Sequence, residues 1–189
     1  MLQLLFSGDI TLFVIILFAI ILSLTFHEFG HAAMAWRLGD DTAARLGRMT
    51  LNPIPHIDPL GLLMVVMIGF GYAKPVPVNP ARLRNWWGNA AVAFAGPGMN
   101  LLLAIFFINL YAAGAVFDIE FLSGRGARIM CLFLAQINVL LMVFNLIPLG
   151  PLDGHHIVQT LLPHHPAQVY KSFKDRYGSL VFIGLIVLS

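Results

Sequence analysis

The chain has 189 residues, of which 59% are hydrophobic and only 11% are charged. Soluble domains carry about 25% charged residues. Here 11 Lys and Arg with 9 Asp and Glu cannot cover a surface that faces water. The composition therefore excludes an ordinary soluble domain, and its apolar content excludes disorder. We expect an integral membrane protein that has the lipid bilayer as a partner and forms a single domain over residues 1–189.

The charged and sulfur-containing residues exclude two further kinds of protein. The net charge is +2, and no Lys/Arg cluster lies beside aromatic residues in a polar segment, so nucleic acid is not an expected partner. Cys131 is the only cysteine, so neither an internal disulfide nor a cysteine-rich zinc site is expected.

Three long charge-free segments predict three membrane helices in an all-α polytopic protein. The first begins at residue 10, and its helical pattern continues to Leu38, with Gly39 as the expected end. A helix over residues 10–38 would be about 43 Å long, against a hydrocarbon core of about 30 Å. The second segment, residues 85–117, contains a Gly-Pro-Gly interruption, and the third, residues 129–152, has Pro148 near its end.

The remaining segments predict shorter elements. Residues 60–72 are apolar but too short to span, which is typical of a re-entrant or core-packed segment. Residues 74–80 read KPVPVNP, and this proline spacing favours extended backbone, at best an edge strand. Residues 118–128 are predicted to be a polar turn, and residues 153–178 a polar, His-rich stretch. The final apolar run, residues 179–189, predicts a partial C-terminal helix.

The distribution of basic residues predicts the orientation in the membrane. If residues 60–72 do not cross, nine of the 11 Lys and Arg residues lie on one side, and only Arg125 and Arg128 lie on the other. The positive-inside rule makes the side with nine cytoplasmic, so the N-terminus is expected outside. All three tryptophans then fall at the cytoplasmic interface, as in an aromatic belt.

Residues 27–31 read His-Glu-Phe-Gly-His within the first predicted helix. Two histidines four residues apart share one helix face, where both imidazoles can reach one metal ion. Glu28 lies beside them and can act as a general base toward a water molecule. The alternative is a pair of interfacial histidines beside an acid. It is disfavoured because three ionisable groups so close together in a membrane helix are costly unless they serve a function.

A catalytic zinc site usually has three protein ligands, so a third ligand is expected elsewhere in the chain. Asp153 falls on the same predicted cytoplasmic side as His31, in a segment where Pro148 should open the helix. On spacing alone, an interfacial turn residue is an equally good interpretation of Asp153. The candidates for the third ligand are Asp153, His155, His156, His56 and Asp58.

The motif at residues 27–31 and the sequence N-L-I-P-L-G-P-L-D-G at residues 145–154 together resemble the site-2 protease family of intramembrane zinc metalloproteases. The second motif of that family is N-x-x-P-x-x-x-L-D-G, and the chain matches every fixed position. Further similarity lies in residues 51–59, 71–80 and 95–100, and the resemblance covers roughly residues 10–160.

The resemblance implies a catalytic core of three transmembrane helices, with zinc inside the membrane near its cytosolic face. It implies His27, His31 and Asp153 as the metal ligands and Glu28 as the catalytic base. The chain shows no appended soluble PDZ or CBS region and so resembles a minimal member of the family. Asn100 and Asn145 are candidates for contacts to the substrate or the oxyanion, and hydrogen bonds between helices are an equal alternative for both.

We therefore expect a zinc-dependent intramembrane endopeptidase that binds one Zn²⁺ per chain and cleaves transmembrane protein substrates in regulated intramembrane proteolysis. Its expected location is the cell membrane of a prokaryote, with residues 72–78 holding the unwound substrate strand by edge pairing. The rival hypothesis is a metal transporter or metal-sensing membrane protein that uses the same His and Asp residues. A transporter would not need Glu28 as a base and would more often show inverted repeats, and none is visible.

Overall fold

The computed structural model describes residues 2–69, 71–178, 180, 181 and 184. It is 74% helical, and the described residues contain no β-strand, so the expected all-α class is confirmed. In chain order the helices are α1 (Leu2–Phe6), α2 (Ile10–Arg37), α3 (Thr42–Arg45), α4 (Pro59–Ile68), α5 (Gly88–Val116), α6 (Glu120–Ser123), α7 (Arg125–Asn145), α8 (Gly154–Leu161) and α9 (His164–Phe173).

Three of these helices, α2, α5 and α7, are long and apolar enough to cross a membrane. Each overlaps one of the three predicted spans, but α7 runs from Arg125 to Asn145 and so begins and ends earlier than the predicted residues 129–152. A long charge-free run favours a membrane helix because it has too few polar groups to be stable in water. Helix α2 ends where expected: Gly39 has a φ of 107°, the left-handed conformation that glycine adopts without strain. The Gly-Pro-Gly interruption does not end α5, which continues through Pro97.

Two polar stretches contain more helix than the sequence indicated. The predicted turn at residues 118–128 includes α6 and the start of α7, so Arg125 and Arg128 lie in the first turn of a membrane helix. The His-rich stretch after residue 153 contains α8 and α9. Charged residues indicate where a helix leaves the hydrocarbon, but its backbone hydrogen bonds can continue beyond that point. Both polar stretches therefore contain helix that the sequence did not predict. The predicted partial helix at residues 179–189 lies outside the described residues, apart from 180, 181 and 184.

Helix α5 packs along both α2 and α7 and holds the three membrane helices together. The buried residues at these contacts are mostly small, including Ala19, Ala32, Ala93 and Ala104. At Gly30 the helices approach so closely that a Cβ atom there would lie 2.6 Å from the carbonyl oxygen of Ala95. Small residues allow this approach, and between lipid-embedded helices close packing replaces the hydrophobic effect as the source of stability.

Residues 72–79, which we call the strap, are extended and cross from α4 toward α5 without forming a strand. Lys74 is bound on both sides: its N–H donates to the carbonyl of His56 at 2.8 Å, and its carbonyl accepts from the Arg48 guanidinium at 2.6 Å. At the far end, the N–H of Asn79 donates to Asp40 at 2.6 Å. The strap is therefore tethered to the polar loops at two points.

The tether at Asp40 is a buried carboxylate at the end of α2. Burial alone would raise the pKa of Asp40, but hydrogen bonds from the Thr42 hydroxyl and from the N–H groups of Asn79 and Thr42 lower the pKa below its ordinary value. Asp40 is consequently ionised at neutral pH. Its hydrogen bonds hold the strap against the end of the first membrane helix.

Candidate metal centre

His27 and His31 lie one turn apart on the buried face of α2. Their Nε2 atoms are 3.0 Å apart, and the two rings meet edge to face at 82°. The helix places both imidazoles on one side because residues four apart lie above one another. Only 5% of His27 and 8% of His31 is exposed, so neither ring is solvated as a surface histidine would be.

Hydrogen bonds at the opposite ring nitrogens define the tautomers of both histidines. Nδ1 of His31 lies 2.7 Å from the carbonyl oxygen of Val92, which can only accept, so this nitrogen carries the proton. Nδ1 of His27 lies 2.6 Å from Oδ1 of Asn100 and is likewise the donor. When the rings are neutral, both lone pairs are therefore on Nε2, as in metal-binding imidazoles.

Asp153 reaches the histidines from the segment that follows α7. That helix ends at Asn145, ahead of Pro148, and the chain turns back so tightly that a Cβ on Gly154 would lie 2.5 Å from the carbonyl of Ile147. The turn brings Oδ2 of Asp153 within 3.1 Å of His27 Nε2 and 3.3 Å of His31 Nε2. The predicted opening of the helix before Asp153 is thus present, and it brings the carboxylate to the two rings.

The donor set fits a zinc ion. In a tetrahedral site with bonds of about 2.0–2.2 Å, neighbouring ligand atoms lie about 3.3–3.6 Å apart, close to the separations found here. Oδ2 of Asp153 is buried and has no partner with hydrogen-bond geometry among the described residues. Three lone pairs directed at one point repel each other in a low-dielectric interior, and a cation removes that repulsion. Two imidazoles and one carboxylate also form a common donor set of catalytic zinc sites.

Glu28 is buried beside this group and is bonded to the strap. The N–H of Val76 donates to Oε2 of Glu28 at 2.8 Å. This bond orients the carboxylate and leaves its second oxygen for another partner. It also limits edge pairing by the strap, because the N–H groups of Lys74, Val76 and Asn79 are already used and Pro75 and Pro77 have none.

A cavity of about 640 Å³ opens onto the group, between the strap on one side and α5 and α7 on the other. Its walls are mostly apolar, with Val76, Val92 and Phe144 among them. His27, Glu28, His31 and Asp153 all line it. The cavity therefore joins a candidate base and a candidate metal site to one space of substrate size.

The two asparagines that the sequence indicated have different positions. Asn145 lines the cavity, and its Nδ2 donates to the carbonyl of Leu141 at 3.0 Å, leaving its oxygen for a ligand. Asn100 is completely buried, does not line the cavity, and contacts His27 instead. Asn100 therefore supports a histidine and is not positioned to contact substrate.

The other candidate ligands lie away from the three converging atoms. Nε2 of His56 lies 2.9 Å from the carbonyl of Thr50, and Asp58 accepts the first N–H groups of α4. His155 is buried against the carbonyl of Leu152, and burial lowers its pKa, so the ring is neutral at neutral pH. His156 lines the cavity but does not belong to the metal-binding group found among the described residues.

The sequence did not single out Asn138, Ser23 or Gly96, which all lie close to the histidines. Asn138 and Ser23 are completely buried. Asn138 accepts a hydrogen bond from Asn100 and donates one to Ser23. Each is a polar residue within an apolar membrane segment, and that is the signal by which they could have been found. Gly96 had no comparable signal, because its role depends on how closely α5 passes the two rings.

Comparison with known proteins agrees with this arrangement. The family model described as Peptidase family M50 matches residues 115–189. YwhC of Bacillus subtilis (strain 168), which is named as a zinc metalloprotease, is 38% identical over 171 residues, covering 89% of this chain and 78% of that protein. An alignment with that coverage necessarily includes both motifs. No solved structure matches the chain significantly.

Mycobacterial proteins named Rip2, also described as zinc metalloproteases, are similar over a comparable length. The protein of Mycolicibacterium smegmatis (strain ATCC 700084 / mc(2)155) is 31% identical over 189 residues, covering 93% of this chain and 67% of that protein. The protein of Mycobacterium tuberculosis (strain ATCC 25618 / H37Rv) is 31% identical over 188 residues, covering 94% and 68%.

The fold and the site thus define an integral membrane metalloprotease, a hydrolase that uses zinc. The chain belongs to peptidase family M50, the site-2 protease family, as the sequence motifs indicated.

The close passage of α5 behind the histidines gives a first prediction. A Cβ on Gly96 would lie 2.6 Å from Cε1 of His31 and 2.7 Å from Cε1 of His27. We expect Gly96→Ala to displace both rings and to weaken zinc binding by at least about 10–100-fold, the range for disturbed ligand orientation. The zinc affinity is measured by competition between the purified protein and a chromophoric chelator.

Gly98→Ala is the matched control, because it has the same effect on helix propensity but its Cβ would meet only the Phe94 ring, at 3.6 Å. It should bind zinc like the wild type. Equal zinc affinity in the two variants would show that the ring positions do not depend on Gly96.

Proposed function

We propose that this protein is a zinc-dependent intramembrane endopeptidase that hydrolyses peptide bonds of transmembrane protein substrates. The observation that carries the proposal is that Glu28, His27, His31 and Asp153 line one cavity enclosed by three membrane helices and the strap. A substrate helix that reaches this cavity from the bilayer would meet the base and the metal ligands together. Residues 1–189 act as one domain in this proposal, since α2, α5, the strap and the segment after α7 all contribute.

In the proposed site, His27, His31 and Asp153 bind the zinc ion. Their three donor atoms converge within 3.3 Å of one another. A zinc ion bound there would supply Lewis-acid chemistry toward a water molecule and the scissile carbonyl. The carboxylate offsets one of the two metal charges, which matters more in a low-dielectric environment than in water.

Glu28 acts as the general base in this mechanism. Its Oε2 is held by the Val76 N–H, so the carboxylate has a defined orientation before the substrate arrives. Its other oxygen takes a proton from the attacking water and later delivers it to the leaving amine nitrogen. Asn145 lines the same cavity, and its free amide oxygen is a proposed contact for a substrate N–H.

The substrate must lose part of its helical structure before cleavage. In a helix each carbonyl is bonded to an N–H four residues on and is shielded from attack. An apolar cavity of about 640 Å³ is large enough for a short extended stretch of substrate beside the strap. The strap offers carbonyls for pairing there, while its N–H groups at Lys74, Val76 and Asn79 remain bonded within the chain.

A metal transporter with the same ligands is a weaker alternative. Transport would not require a carboxylate held next to the ligands by a backbone N–H, yet Glu28 has that contact at 2.8 Å. The three relatives are also named for proteolysis and not for transport.

The proposed location is the cell membrane of a prokaryote, with the N-terminus outside and the active site near the cytoplasmic face. The charge asymmetry supports this orientation: nine Lys and Arg residues belong to segments on one side of the three helices and two to the other.

Substitution of the base separates proteolysis from transport. Glu28→Gln keeps the size of the side chain and an oxygen for the Val76 N–H but cannot accept a proton at neutral pH. We expect hydrolysis of a transmembrane model substrate to fall by about 10²–10⁴-fold, the usual contribution of general acid–base catalysis, with zinc binding retained. Cleavage is measured with purified enzyme in detergent, with a chelator-treated sample as the blank.

Near wild-type cleavage by Glu28→Gln would remove Glu28 from the mechanism. Absence of cleavage by the wild type, together with zinc uptake into vesicles that contain it, would instead establish the transporter.

Metal analysis of three variants tests the third ligand. Asp153→Ala should lose both zinc and activity, because it leaves the metal with two imidazoles and without its anionic ligand. His155→Ala and His156→Ala should each retain zinc, since neither ring belongs to the converging group. A zinc-free His155→Ala or His156→Ala, beside an Asp153→Ala protein that binds zinc tightly, would transfer the ligand role to that histidine.

The orientation is testable by cysteine labelling in intact cells, in a Cys131→Ser background. Leu46 and Gln168 are exposed residues of segments on the proposed cytoplasmic side, and Glu120 is exposed on the opposite side. A membrane-impermeant reagent should label Glu120→Cys from outside, but should label Leu46→Cys and Gln168→Cys only after the membrane is opened. The reverse pattern would invert the orientation.

A further inference from the structure

Asn138 is a completely buried amide near the middle of α7, a helix that is long and apolar enough to cross a membrane. Two other polar side chains meet it there, Ser23 from α2 and Asn100 from α5, and both are also completely buried. The three residues form one hydrogen-bonded group, which we call the asparagine cluster. Polar groups are costly at membrane depth, so a cluster that joins three helices calls for a function.

Each polar atom of Asn138 has a partner. Its Nδ2 donates to Oγ of Ser23 at 2.8 Å and to the carbonyl of Leu134 at 2.8 Å. Its Oδ1 accepts from Nδ2 of Asn100 at 2.8 Å. Ser23 in turn donates to the carbonyl of Ala19 at 2.7 Å, which leaves its oxygen free to accept from Asn138. The amide of Asn138 can therefore take only one orientation, with its oxygen toward Asn100.

This orientation determines the orientation of Asn100. Nδ2 of Asn100 donates to Asn138 and to the carbonyl of Ser23, at 2.8 and 3.2 Å. Both of these partners accept, so the amino group of Asn100 must face them. Its oxygen then has to face Nδ1 of His27, at 2.6 Å. An oxygen at that position accepts a proton, so Nδ1 of His27 carries the proton and Nε2 carries the lone pair.

The reverse orientation of Asn100 would have the opposite effect on His27. If the amide were flipped, its NH₂ group would face Nδ1, which would then have to be the acceptor. The neutral ring would carry its proton on Nε2, the nitrogen that faces His31 and Asp153. A protonated Nε2 cannot bind a metal ion.

We propose that Asn138 is a positioning residue that sets the tautomer of His27 through Asn100 and so prepares Nε2 for zinc. The proposal depends on the role of His27 as a zinc ligand under the proposed function. Among the described residues, Asn138 is bonded to none of the proposed ligand atoms, and its hydrogen bond to Asn100 connects it to His27. For Asn138 to orient Asn100, the Asn138 amide itself must not rotate. Its hydrogen bonds to Ser23 and to the carbonyl of Leu134 prevent that rotation.

The test uses the full chain purified in detergent. Asn138→Leu has a side chain of similar size but cannot accept from Asn100, so only the longer bond to the carbonyl of Ser23, at 3.2 Å, still orients the amide of Asn100. We expect zinc affinity, measured by competition with a chromophoric chelator, to fall by about 10–100-fold, as for other groups that orient ligands. The control is Asn109→Leu, which removes an exposed asparagine of α5 that donates to the carbonyl of Ile105 in its own helix. It should leave the affinity unchanged.

A double variant separates the relay from simple helix packing. In Asn100→Asp both side-chain oxygens accept, so either orientation holds the proton on Nδ1 of His27, and Asn138 is no longer needed. We therefore expect Asn138→Leu with Asn100→Asp to recover most of the lost zinc affinity. Wild-type affinity in Asn138→Leu alone would overturn the proposal.

The histidine tautomer provides a readout that does not depend on zinc or on catalysis. Nitrogen-15 chemical shifts of the zinc-free wild type should show the proton of His27 on Nδ1, and Asn138→Leu should show a fraction on Nε2. An unchanged tautomer in the variant refutes the relay. If the wild type shows the expected tautomer but binds no zinc, the proposed function fails while the role of Asn138 stands.

If Asn138→Leu does not fold, Asn138→Ser replaces it in both measurements. A serine hydroxyl can bond to the carbonyl of its own helix but is too short to reach Asn100. It should therefore cause the same loss of zinc affinity and the same change of tautomer. Wild-type values for both in a folded Asn138→Ser protein would contradict the proposal.

Discussion

Two imidazole nitrogens and one carboxylate oxygen meet with their lone pairs directed at each other, within 3.3 Å and largely out of contact with water. Left alone, such a group is unfavourable, because each atom has lost its hydration and faces another acceptor. The surrounding structure forces this convergence. Hydrogen bonds at Nδ1 of both histidines direct their lone pairs inward, and the turn after α7 directs Asp153 at the same point. A cation is the component that makes the arrangement favourable.

The membrane context explains why the supporting structure is made of small and polar residues. Apolar side chains gain little by packing against each other in lipid, so close helix contact and hydrogen bonds take a larger part in stability. Gly30 and Gly96 allow α5 to pass directly against α2 and the histidine rings. Ser23, Asn100 and Asn138 connect the same three helices by hydrogen bonds at the depth of His27. Packing and ligand orientation are therefore produced by the same few residues.

The strap gives the site a second level of organisation. Arg48 and Asp40 bind it from the polar loops at its two ends, and between them Val76 is bonded to Glu28. A carboxylate in a mostly apolar cavity has few polar partners, so this bond defines the direction of Glu28. The prolines of the strap serve this arrangement, because they keep the backbone extended while leaving few N–H groups to satisfy.

The sequence by itself determined the membrane class, the three spans and the candidate residues of the site. Long charge-free runs have few stable alternatives to a membrane helix, and the motif at residues 27–31 places two imidazoles on one face by helix geometry alone. The local effect of Pro148 was also predictable, because the loss of a hydrogen-bond donor acts within one turn. The start of α7 and the existence of α8 and α9 were not, since charge does not mark where helical hydrogen bonding ends.

Only the tertiary structure decided how the distant parts meet. Asp153 is 122 positions after His31, and spacing along the chain left a turn residue and a ligand as equally good interpretations. The 3.3 Å approach of its carboxylate to Nε2 of His31 is visible only in the fold. Three further contacts likewise join separate elements. They are the hydrogen bond between Asn100 and His27, the close approach of Gly96 to the histidine rings, and the hydrogen bond from Val76 to Glu28. Local rules concern neighbours within a turn or a strand, whereas these contacts depend on how closely whole helices approach each other.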